Sequence, residues 1–347
     1  MADVVLDLLD RRPVWAIPEW AVAEIRTALP GGWILYSATS PADGSGDGRG
    51  VAPEPAVLDE VQGARVYVGY GVAPEILEAG AGTLEWVHTG AAGVGSSLHD
   101  TMRRSGVRFT NSAGIHGPPI AETVLGMLLY FFRGLDLAAE AQRRGVWDPD
   151  PFFRADTPVR ELSGATVGII GYGGIGREVG ERLRGMGVRV LGLRRSAAAE
   201  TSPPGVEILR GMGEDGLGVL LDQSDALVIT APETPETRGL LSRERLERLR
   251  PGAVIVNVAR GSIVDEEALV EGLLDGRIRG AGLDVFQTEP LPPESPLWAC
   301  PGVLLSPHVS GVSRGFWRRE VDLILENMSR WRAGERLRNE VDLDLGY

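Results

Sequence analysis

The sequence predicts a two-domain α/β protein built on parallel sheets, and three observations carry that prediction. Short β-type runs alternate with helix-like stretches along most of the chain. A glycine-rich run, GYGGIG at 171–176, joins one such strand to one such helix. The length of 347 residues, 43% of them hydrophobic, suits two packed cores of ordinary size and is short for three.

From Val14 to Asn111 the runs VWAI, WILYSA, ARVYVGY, LEWVHT and VRFTN read as strands, with WAVAEIRTAL and APEILEAG as helices among them. This is the pattern of a small parallel α/β domain. The interval SPADGSGDGRGVAPEP at 40–55, rich in glycine, proline and serine, reads as a mobile surface loop, not a linker between domains. PPIAETVLGMLLYFFRG at 118–134 opens with proline in a first-turn position and is apolar around most of its circumference. Such a helix must be buried, in a core, between domains or against a second subunit.

A second alternation begins at Thr166. The strands VGIIG, VRVLGL, ALVITA, VIVNVA, GAGLDVF and VLLSPH are separated by REVGERLRGM, RERLERL and DEEALVEGLL, which implies a parallel, doubly wound sheet. The tail GFWRREVDLILENMSRWRAG reads as a helix returning to the first domain.

Composition narrows the chemistry. A formal net charge of -13 argues against general nucleic-acid binding, which needs a broad basic face. All 35 basic residues are arginine, so Schiff-base catalysis and a lysine-bearing phosphate loop are excluded. The single cysteine, Cys300, rules out an intramolecular disulfide and a multi-cysteine zinc site, and no metal is expected. The opening MADVVLDLLDRR carries acids in its apolar run, and no uninterrupted apolar span is long enough to cross a bilayer. The expectation is a soluble, cytoplasmic protein.

In VGIIGYGGIGREVGERL, Gly171, Gly173 and Gly176 follow a strand and lead into a helix. A tight turn, close approach of backbone to a pyrophosphate, and close packing of helix on strand each require a missing side chain at one of these positions. Gly174 and Ile175 then open a helix whose N-terminus faces the phosphates. A tight turn without ligand and a methyl-donor site are the other readings of this motif. The next strand ends LGLRRS at 191–196. A carboxylate normally grips the adenosine ribose there; Arg194 and Arg195 stand in its place.

Three further stretches, NVARGSIVDEEAL at 257–269, GLDVFQTEPLP at 282–292 and SPHVSG at 306–311, join GYGGIG in that order. Together they closely resemble the D-isomer-specific 2-hydroxyacid dehydrogenase family, of the glyoxylate/hydroxypyruvate reductase kind. GAAGV at 90–94, NSAGIHGPPIAETVLGMLL at 111–129 and PETPETRGLL at 232–241 extend the likeness over nearly the whole chain. The resemblance implies a Rossmann-type dinucleotide-binding domain at 113–312, inserted in a smaller flavodoxin-like α/β substrate domain at 1–112 with its C-terminal return at 313–347.

It also implies roles. Arg260 would fork onto the substrate carboxylate and polarise the keto oxygen, as a planar guanidinium suits. His308 would be the acid/base, giving a proton to the carbonyl oxygen as hydride arrives. An imidazole in water titrates near about 6.5; a carboxylate hydrogen-bonded to its ring, here Glu289, favours the charged form and fixes its orientation. Ala92, Gly93 and Val94 match a loop whose amides contact the substrate carboxylate. Thr230, Ala231 and Pro232 match a segment lining the cofactor, with Val258 and Ala259 beside it, and Asp284 matches the position that holds the nicotinamide carboxamide. His88, His99 and His116 have no such motif and are read as structural. Phe316 and Trp317 could wall the substrate pocket, with core packing the plainer reading.

With Arg194, Arg195 and Ser196 as an anion cradle, the expected cofactor is NADP(H), NAD(H) remaining possible. The expected activity is hydride transfer between NAD(P)H and a small 2-keto acid to give a D-2-hydroxy acid. The alternative is a dinucleotide-sensing regulator like the corepressor branch of this fold, with little turnover. Formate dehydrogenase chemistry is disfavoured by Glu289, where those relatives carry glutamine. Relatives dimerise through the helix at 118–134, so a homodimer is expected.

Overall fold

The computed structural model describes residues 1–40, 53–195, 204–344 and 346. Most of the segment read as a loop at 40–55, and Ser196, lie outside them. The contacts divide the chain into two units, Met1–His116 with Val312–Tyr347, and Gly117–Gly311.

Among the described residues the first unit has one five-stranded parallel sheet. Its elements run β1 (Val4–Asp7), α1 (Glu19–Ala28), β2 (Leu35–Ser37), α2 (Pro55–Val61), β3 (Val66–Gly69), α3 (Pro74–Ala79), β4 (Trp86–Thr89), α4 (Asp100–Ser105) and β5 (Arg108–Asn111). The spatial order is β2-β1-β3-β4-β5, the flavodoxin-like winding. One expectation fails here. VWAI at 14–17 forms no strand, and the first strand is Val4–Asp7. The acids flanking VVL masked it in the sequence, yet all four of its residues are buried.

The second unit opens with α5 (Gly117–Phe132), α6 (Leu135–Arg144) and α7 (Asp150–Phe153). It continues with β6 (Thr166–Ile170), α8 (Gly174–Gly185), β7 (Arg189–Arg194), β8 (Val206–Arg210), α9 (Val219–Gln223), β9 (Ala226–Ile229), α10 (Arg243–Glu247), β10 (Ala253–Asn257), α11 (Glu266–Leu274), β11 (Ile278–Leu283) and β12 (Val303–Leu305). Its seven described strands order as β12-β11-β10-β9-β6-β7-β8, all parallel. The winding reverses between β6 and β9. In such sheets ligands sit outside the carboxyl ends of the strands at that switch point, and GYGGIG and Thr230 follow the two strands that flank it.

α5 is buried against this sheet. Met127 and Phe131 fill the space that Cβ atoms on Gly282 and Gly280 of β11 would take, at 2.7 Å and 2.4 Å, so glycine in β11 lets the helix approach. The last helix, α12 (Phe316–Ala333), belongs to the first unit. Phe316 and Trp317 are buried in that unit's core, which agrees with packing and not with a pocket wall. No described helix is long and apolar enough to cross a membrane.

Candidate active site

The glycine loop is built by contact. Gly171 has φ +90°, a conformation that favours glycine, and an added Cβ would sit 2.4 Å from the Cα of Ala231. A Cβ on Gly176 would meet the carbonyl oxygen of Gly171 at 2.7 Å, and the Thr230 hydroxyl donates to that same oxygen at 2.9 Å. By contrast a Cβ on Gly173 would meet nothing within 4 Å. One glycine turns the chain, one seats the helix on the strand, and the middle one faces open space. Gly173 and Gly174 are exposed and Ile175 is half-buried; α8 has no side-chain N-cap, so its first amides are left for an anion. This cradle fits a dinucleotide pyrophosphate.

Beyond the cradle, Ala231 is buried and Pro232 is exposed. Arg194 ends β7, donates from Nε to the Tyr172 carbonyl at 2.9 Å, and lies 5.7 Å from the centre of that ring. Burial raises the Tyr172 phenol above its ordinary value, opposed by the nearby Arg184, Arg177 and Arg194. Arg195 donates to Glu236 at 3.3 Å.

The ARG turn follows β10. Asn257, buried at the strand end, donates from Nδ2 to the Arg260 carbonyl at 2.9 Å and accepts from the Ala259 amide at 3.0 Å. It thereby ties both ends of the turn, a role the sequence did not reveal. Val258 and Ala259 are buried, while Arg260 is exposed, its Nη1 donating to the Ala259 carbonyl. A Cβ on Gly261 would overlap the backbone of Phe286, 1.9 Å from its carbonyl carbon. The turn bearing Arg260 is therefore pressed onto the start of the segment that carries Glu289.

Glu289 accepts from the Phe286 amide at 3.0 Å through Oε1 and pairs with His308 Nδ1 at 2.8 Å through Oε2. With Nδ1 engaged, Nε2 is the ring atom left for a reacting oxygen. His308 has φ +54°, a region that non-glycine residues seldom occupy and that surrounding structure must hold. Asp284 supplies that hold. Its carbonyl accepts from His308 N at 2.9 Å. Its carboxylate, fully buried, accepts from Ser306 Oγ at 2.5 Å, Val309 N at 2.9 Å and Ser310 N at 3.0 Å. The buried carboxylate is engaged by its own histidine loop, and the assignment of Asp284 to the nicotinamide carboxamide rests on the family resemblance alone.

Ala92, Gly93 and Val94 lie in the first unit, between β4 and α4, with Ala92 and Gly93 exposed and Val94 buried. Asn111 donates to the Ala92 carbonyl at 2.8 Å. The other histidines are structural: His88 is buried, His99 caps α4 by accepting from the Met102 amide, and His116 stacks on Phe316.

The profile of the D-isomer specific 2-hydroxyacid dehydrogenase NAD binding domain matches residues 125–310. A glyoxylate reductase of Thermofilum pendens is 34% identical over 265 residues, 75% of each chain. A D-isomer specific 2-hydroxyacid dehydrogenase of Xanthobacter autotrophicus, solved with NADPH and MES, superposes with TM-score 0.78 at 30% identity, over 100% of this chain and 99% of the other. An NADPH-dependent glyoxylate/hydroxypyruvate reductase of Sinorhizobium meliloti, solved with NADP and sulfate, superposes with TM-score 0.75 at 28% identity over 100% of both chains. The chain belongs to the D-isomer specific 2-hydroxyacid dehydrogenase family, oxidoreductases with a nicotinamide dinucleotide-binding domain.

Proposed function

We propose that the protein is an NADPH-preferring reductase of small 2-keto acids, glyoxylate or hydroxypyruvate among them, giving D-2-hydroxy acids. The observation that carries this reading is the 2.8 Å pair of His308 Nδ1 with Glu289 Oε2, beside an arginine turn pressed against the same segment. The similar proteins named above, which act on glyoxylate or were solved with NADPH or NADP, support the substrate class and the cofactor.

When bound, the cofactor supplies the hydride. The chain's own groups do the rest. Arg260 presents a planar fork to the substrate carboxylate and keto oxygen, and the amides at Ala92, Gly93 and Val94 keep their assignment to the carboxylate on the family resemblance. His308 releases the Nε2 proton to the keto oxygen while Glu289 holds Nδ1–H, so the ring keeps one orientation through the transfer. Asp284 holds the strained loop that aims the ring. The glycine loop and the free amides of α8 take the pyrophosphate, with Thr230, Ala231, Pro232, Val258 and Ala259 along the cofactor. Arg194 and Arg195 place positive charge where a 2′-phosphate would lie, for a preference of about tenfold to a hundredfold over NADH.

The regulator reading gains no support from this geometry, in which an acid/base pair is aligned and half-exposed. A homodimer through the α5 region is retained as part of the proposal, supported by the exposed Trp147 and Phe153 nearby in the chain, 95% and 85% accessible. Initial rates of NADPH and NADH oxidation across a panel of 2-keto acids test the reaction and the cofactor. His308→Gln should lower kcat by about a hundredfold or more; full activity in that variant would end the acid/base assignment.

A further inference from the structure

Arg194 and Arg195 are neighbours in the chain but are held differently. Arg194 lies on the glycine loop, through the carbonyl and the ring of Tyr172. Arg195 reaches away to Glu236, a residue 41 positions further on in the segment that follows β9. That segment is folded on itself. The Thr237 hydroxyl donates to the Pro232 carbonyl at 2.7 Å, and Thr237 Oγ1 accepts from the Thr234 amide at 2.8 Å, so Glu236 sits on a braced loop. The surroundings are basic. Arg210 is the register partner of Arg194 at the end of β8, and Arg177 stands in the first turn of α8. Glu236 places a carboxylate against this positive end.

We propose that Glu236 is a specificity-determining residue, a carboxylate that holds Arg195 when no 2′-phosphate is present and competes with that phosphate when it arrives. The inference rests on the reading of Arg194 and Arg195 as the 2′-phosphate site. The physical reason is charge. A phosphate monoester brings up to two negative charges to a guanidinium whose charge Glu236 already partly neutralises, and it must displace that carboxylate to use it. The uncharged ribose hydroxyls of NADH do not compete for that guanidinium. Glu236 therefore lowers the ratio of NADPH to NADH affinity below what the two arginines alone would set. Because the pair is open to water, with side chains 44% and 60% accessible, the effect is moderate, about threefold to fivefold.

The test is binding, read by fluorescence titration of the full chain with NADPH and NADH in the absence of substrate. Glu236→Gln keeps the shape and removes the charge. It should tighten NADPH about threefold and leave NADH unchanged, with the difference shrinking at high salt. In an Arg195→Gln background the same substitution should do nothing; continued tightening there would overturn the competition through Arg195. An unchanged ratio, or equal gains for both nucleotides, would also overturn it. The cofactor reading fails separately. A wild-type ratio near one that rises in Glu236→Gln supports the competition and refutes the NADPH preference, whereas a high wild-type ratio that does not move refutes the competition alone. An unchanged melting temperature would show that the exposed substitution leaves the fold intact.

Discussion

A histidine and a glutamate meet in each unit of this protein, at similar distance and in opposite surroundings. His88 Nε2 lies 3.0 Å from Glu320 Oε1 with both side chains fully buried. His308 Nδ1 lies 2.8 Å from Glu289 Oε2 with 49% and 36% of the side chains accessible. The buried pair is saturated. Trp86 Nε1 donates to Thr110 Oγ1 at 2.9 Å, and the threonine hydrogen in turn serves His88 Nδ1 at 2.8 Å. Nε2 then carries its hydrogen toward Glu320, whose two oxygens also receive Ser112 at 3.0 Å and 2.8 Å. Both ring nitrogens are occupied, so this histidine has no proton to exchange with a ligand. The exposed pair engages one nitrogen and leaves the other at the surface. The same two groups therefore serve structure where every valence is filled inside the protein, and chemistry where one is left open.

Substitutions should separate the two pairs. Glu320→Ala removes the carboxylate from a dry network, leaving His88 Nε2 only the Ser112 hydroxyl at 3.1 Å and a cavity beside it, which should cost about 3 kcal/mol and lower the melting temperature markedly. Calorimetry checks this, and a stability near that of the wild type would break the contrast. At the exposed pair, Glu289→Gln should instead lower kcat by about tenfold and alter the pH dependence of kcat, with the melting temperature nearly unchanged. A loss of stability without loss of turnover would place Glu289 with the structural pair.

The smallest effect concerns another buried acid of the first unit. Burial pushes the Asp7 carboxyl above the ordinary 3.8, against the hydrogen bond from Tyr67. A raised carboxyl binds its proton more tightly folded than unfolded. Its ionisation therefore costs nothing below 3.8, costs progressively more as pH rises toward the folded value, and stays constant above it. Asp7→Asn should raise the melting temperature by about a degree or two at pH 8, with the gain vanishing in strong acid. A gain that grew on acidification would show the opposite sign and refute the burial argument.

Much of the fold and site was legible because its signals are local. Strands from Thr166 onward were marked by apolar runs and turn residues within a few positions of one another, and the glycine loop by three spacings in one turn. What failed was marginal or distant. Val4–Asp7 carries acids on its flanks, and β8 is a short, half-exposed strand that no alternation announced. Asp284 as the anchor of the histidine loop depends on partners 22 to 26 residues away, and Asn257, whose partners are only two and three residues away, braces the ARG turn through side-chain geometry that residue type alone does not reveal.

Taken alone, the amino-acid order determined the α/β class, the doubly wound second unit and the absence of lysine chemistry, since each follows from composition or from the alternation of strand and helix, while the site residues it offered came through the family resemblance. Only the tertiary structure decided which histidine is sealed and which is open, because His88 meets Glu320 across 232 positions and solvent access is a property of packing. It also decided that Arg195 pairs with Glu236 and that the Asp284 carboxylate is bound by its own loop. Burial and long-range pairing arise when the chain closes on itself, and no short stretch of sequence encodes them separately.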